Sequence, residues 1–189
     1  MGSFYTNVTL RTTDRDAVRQ HLSAAGRRAY ISPPAAGAVV VFDRACEEQD
    51  PKELAGLTSL LSQRCACPAL AVMIHDDDIF WYGLYEAGAL VDEYTSAPDY
   101  FEGGGAPPAG GDATRLCAAF ARPDVEAELL GILHRPKDAP DAYTFETDRH
   151  SAVVEALGLP SAAVGTGYNY LEAGELPSEL TMEDLVRVG

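Results

Sequence analysis

Three short apolar segments in close succession, residues 69–74, 79–85 and 89–94, constrain this chain more than any other feature. They are rich in β-branched and aromatic residues, and only His75-Asp76-Asp77-Asp78 and a turn at Ala87-Gly88 separate them. Segments of that length with such turns between them read as strands joined in an antiparallel meander. The placement also gathers three carboxylates at one edge of a sheet.

Upstream, Phe4, Thr6, Val8 and Leu10 alternate with Tyr5, Asn7 and Thr9, the period of a strand with one apolar face. Thr13-Asp14-Arg15-Asp16 starts a helix over about 14–25, with Ala17, Val18, His21, Leu22 and Ala25 on one face and Gly26 as the stop. Residues 28–32, ended by Pro33-Pro34, and residues 37–42 read as a strand pair. Asp50-Pro51-Lys52-Glu53 opens a second helix: an aspartate cap, proline at the first helical position, and a glutamate placed to reach back to the cap. Leu54, Leu57, Leu60 and Leu61 form its apolar stripe. The order is strand, helix, strand, strand, helix, strand, strand, strand. Its first six elements match a ferredoxin-like split βαβ sandwich, extended by the meander, in an α+β protein.

Glycine and proline concentrate over residues 97–111, which marks a loop. Beyond it, Asp112 and Pro123 each open a short helix, residues 135–141 read as a linker, 143–145 as a short strand and 149–157 as a helix stopped by Gly158. Residues 163–171 read as a strand, and Thr181 caps a final short helix. The expected division is a sheet domain over 1–101, a Gly/Pro-rich loop over 102–111 and a mostly helical C-terminal part over 112–189, packed on the sheet.

A chain of 189 residues, 47% hydrophobic, can bury one substantial core. No stretch is long and apolar enough to cross a bilayer, and the N-terminus enters a strand pattern without a leader, so a soluble protein is expected. The net charge of −15 argues against nucleic acid and anionic membrane as partners. Residues 1–67 hold eight Lys/Arg against seven Asp/Glu, while residues 68–189 hold six against twenty-two, an excess read first as solubility and then as a means to steer a basic protein partner or bind cations. Four irregularly spaced cysteines, Cys46, Cys65, Cys67 and Cys117, form no disulfide framework or zinc pattern and fit a reducing cytoplasm.

Several groups carry candidate chemistry. His75, Asp76 and Asp78 present ligands for a divalent cation, with Glu86, Asp92 or Asp99 needed to complete a site, because alternate residues of a strand share a face. Arg149 and His150, with Tyr168 of Gly165-Thr166-Gly167-Tyr168-Asn169-Tyr170, are candidates to line a pocket, although neither a phosphate loop nor a dinucleotide fingerprint is present. No nucleophile elbow or other hydrolase motif occurs. Tyr94, Asp99, Tyr100, Phe101 and Glu102 combine aromatic and acidic groups next to the loop and are candidates for a partner surface.

The run His75-Asp76-Asp77-Asp78, Leu84-Tyr85-Glu86-Ala87-Gly88, Val91-Asp92-Glu93-Tyr94 and Pro98-Asp99-Tyr100-Phe101 resembles a pattern found in uncharacterised bacterial proteins. The resemblance covers about a quarter of the chain and implies a bacterial, cytoplasmic protein without implying an activity. The leading expectation is a non-catalytic, immunity-like or regulatory domain that binds another protein through an acidic, aromatic-bearing surface and needs no cofactor. The alternative is a metal-dependent hydrolase using a divalent cation at residues 75–78, and a weaker one is a small-molecule sensor.

Overall fold

A computed structural model of the chain describes residues 2–189 as an α+β structure around one eight-stranded antiparallel sheet. The elements follow in the order β1 (Tyr5–Leu10), α1 (Arg15–Ala24), β2 (Ala29–Ile31), β3 (Val39–Asp43), α2 (Pro51–Arg64), β4 (Ala69–His75), β5 (Ile79–Glu86), β6 (Ala89–Thr95), β7 (Ala109–Gly110), α3 (Ala113–Phe120), α4 (Glu126–Leu133), α5 (Glu146–Leu157), α6 (Tyr168–Glu172) and β8 (Val186–Val188). Across the sheet the strand order is β7-β6-β5-β4-β1-β3-β2-β8. The register pairs Val8 with Val41 on one side of β1 and with Ala71 on the other.

Local chemistry starts the helices where the caps stand. Asp14 accepts from the Ala17 N–H, Asp50 from Lys52 and Asp112 from Arg115, each satisfying a donor that the first helical turn leaves free. Glu53 does not reach back to Asp50 as expected. It pairs with Arg27 at 2.8 Å, because Arg27 also holds Asp43 at 2.6 Å and brings a cation within its reach. At the other end of α5, Gly158 turns left-handed and lets Leu159 donate to the Val154 carbonyl.

Alternate strand residues face opposite layers. Val8, Leu10, Val39, Val41, Ala69 and Ala71 pack against α1 and α2, while Leu70, Val72, Ile74, Phe80, Tyr82 and Leu84 pack against α3, α4 and α5. Tyr30, Val40 and Phe42 meet Val154, Tyr168, Leu171 and Leu185 on that second side. Each such valine, leucine, isoleucine or phenylalanine side chain contributes about 1.5–3 kcal/mol relative to exposure. Helices therefore cover both faces, which corrects the one-faced reading of β1: all six of its residues are buried. Two of its polar members, Thr6 and Asn7, find partners from distant segments. Asn7 donates to the Ala163 and Thr166 carbonyls at 2.7 and 3.1 Å, and the Thr6 N–H and hydroxyl donate to Glu47 at 3.4 Å.

The expected strand over 163–171 is instead a 3-10 turn at Ser161–Ala163, a further bend in which Gly165 is left-handed (φ 66°), and α6. Residues 143–145 form no strand, and α5 starts three residues earlier than expected, at Glu146. Two further strands come from segments read as loop or tail. Gly110 (φ 72°) brings β7 so close to β6 that a Cβ there would lie 2.0 Å from the Glu93 carbonyl oxygen, and β8 pairs with β2.

Candidate functional site

The β4–β5 turn is held in a tight left-handed bend. Asp76 (φ 52°) and Asp77 (φ 59°) both occupy the region that aspartate tolerates better than most residues, and Asp78 N–H closes the turn on the His75 carbonyl at 3.0 Å. The three carboxylates then part company. Asp76 accepts from the Gly2 N–H at 3.2 Å, Asp77 from the Ser3 N–H at 2.9 Å and from the Thr147 hydroxyl, and Asp78 from the Tyr100 hydroxyl at 3.0 Å. Burial acts to raise the Asp77 carboxyl, and the hydrogen bonds from Thr147 and Ser3 overcome it and hold the group below its ordinary range. The bond to Asp78 raises the Tyr100 phenol. Asp77 also accepts the Glu146 N–H on its carbonyl at 2.8 Å, so the N-terminal segment and the start of α5 both fasten the turn.

His75 stands at the centre of an aromatic group. Its ring meets Phe4 edge-on at 4.9 Å, Phe101 at 5.7 Å and Tyr100 at 6.2 Å, and Tyr100 meets Phe101 at 5.1 Å. Gln49, left-handed at the end of a 3-10 turn, fixes the imidazole by a 2.7 Å bond to Nδ1 and anchors itself on the Ile74 carbonyl. Phe101 is 79% exposed, Phe4 41% and Phe145, next to Glu146, 53%. Asp76, Asp78 and Glu102 are exposed beside them. Asp99 instead shapes the glycine-rich loop, since both its carboxylate oxygens accept the Ala106 N–H, at 3.0 and 3.1 Å, and its carbonyl accepts Glu102 and Gly104.

Of the expected partner residues, the structure brings Tyr100, Phe101 and Glu102 together with the 75–78 turn. Tyr94 is a correction. It is fully buried, stacks on Tyr82 at 5.3 Å and donates to the Leu133 carbonyl at 2.7 Å, because α3 to α5 cover the face of β6 on which it lies. Arg149, His150 and Tyr168 are likewise buried instead of lining an open pocket. Arg149 pairs with Glu146 at 2.8 Å and donates to the Ile132, Leu133 and Arg135 carbonyls, closing the C-terminal end of α4. His150 shares a 2.8 Å hydrogen bond with the Tyr5 hydroxyl, and burial pushes its imidazole down to about 3. Tyr168 packs on Tyr30.

Among the described residues, no three His, Cys, Asp or Glu side chains converge as a cation site would require. No helix among them is long and apolar enough to cross a membrane. Phe4 and Gln49 in the cluster, and Phe145 at its flank, carry no signal in the sequence that singles them out. Alternation alone places Phe4 on the apolar face of β1, yet it lies one residue before the strand starts, where the sheet no longer covers it. Comparison with protein-family models, with curated proteins and with solved structures gives no match.

Proposed function

We propose that this chain is a non-catalytic protein-interaction domain, immunity-like or regulatory, that captures a partner on the rim formed by the β4–β5 turn and residues 99–102. The observation that carries the proposal is the grouping of exposed Phe4 and Phe101 around His75, edged by Asp76, Asp78 and Glu102. Large aromatic side chains are enriched among the residues that dominate binding energy, and surrounding charges steer association. The turn is fastened from two sides, so docking there orders little additional chain.

The metal-dependent hydrolase reading is weaker, because Asp76, Asp77 and Asp78 each serve a different donor, and Arg149 and His150 are occupied in the core. The ferredoxin-like reading of the fold draws support from the antiparallel order β4-β1-β3-β2, with α1 and α2 packed on one face. Four unpaired cysteines, two of them buried, suit a reducing cytoplasm.

The test is affinity capture with wild type, Phe101→Ala and Glu102→Gln, with thermal unfolding as a control. The proposal expects a specific partner whose recovery falls in both variants while their melting temperatures stay near wild type. Equal recovery from all three removes the rim as the binding surface.

A further inference from the structure

The rim carries carboxylates that form no ion pair with the described residues. Among the described residues, none of Asp76, Asp77, Asp78, Asp99 or Glu102 forms an ion pair, whereas Arg19, Arg27, Arg115, Arg122, Arg135, Arg149 and Arg187 all pair with carboxylates elsewhere. Lys137 donates to the Asp78 backbone carbonyl at 3.2 Å and forms no ion pair with these carboxylates. Among the described residues, Asp76 and Asp78 each use one carboxylate oxygen and Glu102 uses neither, so acceptors remain on the rim that exposes Phe101.

Building on the proposed function, we infer that the rim takes an arginine-bearing segment of the partner protein, with a guanidinium laid against Phe101 and its N–H fork directed at the free carboxylate oxygens. Guanidinium combines a flat, weakly hydrated face with a fork of donors, so one side chain uses both features of this surface; an ammonium is a strongly hydrated point charge and engages the carboxylates alone. The chain contains the same contact internally, where Tyr143 meets the guanidinium groups of Arg135 and Arg149 at 4.9 and 5.0 Å. An uncharged apolar segment would leave the carboxylates desolvated without partners, which disfavours it.

Three fluorescent peptides of one sequence, bearing arginine, lysine or uncharged citrulline at the same positions, are titrated with the full chain by fluorescence anisotropy at low and moderate salt. The expected order is arginine, then lysine weaker by about two- to fivefold, then citrulline without measurable binding. Phe101→Ala should erase the preference for arginine over lysine, and an Asp76→Asn, Asp78→Asn, Glu102→Gln variant should lose both. Equal binding of the two cationic peptides to wild type overturns the guanidinium assignment. If no cationic peptide binds while partner capture still falls in Phe101→Ala, this inference fails and the docking surface stands; if neither measurement responds to the rim variants, both fail.

Discussion

At the scale of single residues, the least expected feature is how many polar side chains are put to use inside the molecule, although Asn7 Oδ1 is buried without a partner among the described residues. His150 is the clearest case: its folded-state value of about 3 lies below the ordinary 6.5, so the native state resists binding a proton that the unfolded chain accepts. Its contribution is fully present above pH 6.5 and is lost as the pH falls towards 3, at about 1.4 kcal/mol per unit. Urea unfolding between pH 7 and 4 should therefore show a steeper loss for wild type than for His150→Gln, whatever the variant's starting stability; parallel curves would refute the assignment. The turn offers a second test. Asp77→Ala removes the acceptor for Ser3 and Thr147 and places alanine at positive φ, and it should destabilise by about 1–3 kcal/mol. Asp76→Gly gives up one long bond but relieves the same kind of backbone conformation, so its stability should stay within about 1 kcal/mol of wild type.

At the scale of elements, the chain is legible wherever an element carries its own punctuation. The Asp14, Asp50 and Asp112 caps, the Gly158 stop and the turns at 75–78 and 87–88 all lie where the residues place them. The remainder is decided by distant partners. β7 and β8 span two and three residues, too few for any periodicity, and they exist because β6 and β2 offer open edges. Asn7 and Thr9 read as an exposed face until the helices of the C-terminal half cover it. The same distinction separates Tyr94 from Phe101, since two aromatics seven residues apart are told apart only by which of them α3 to α5 cover. A consequence follows for β7. Gly110→Ala drives a Cβ against the Glu93 carbonyl and should release the strand, so the Gly111 amide, which donates to that carbonyl at 2.9 Å, should exchange markedly faster than in wild type. Unaltered exchange would show that β7 is not held by this close approach.

At the scale of the whole molecule, charge and shape separate two kinds of surface. Exposed apolar groups also occur elsewhere, as with Leu130 on α4, which is 50% exposed and shares a shallow hollow with Asp92, Asp112 and Glu126 but with no aromatic ring. The 75–78 turn instead concentrates aromatic rings on a braced scaffold, beside carboxylates that form no ion pair among the described residues. Capture by such a surface should weaken as salt rises from low to physiological strength, because exposed charges are screened over about 8–10 Å. Insensitivity to salt would point to an apolar contact alone. Whether the rim is the docking surface is decided by site-specific crosslinking, with a photoreactive phenylalanine analogue placed either at Phe101 or at Leu130 and the captured partner present. A docking rim gives a covalent adduct from position 101 and none from position 130; adducts from position 130 alone would contradict it.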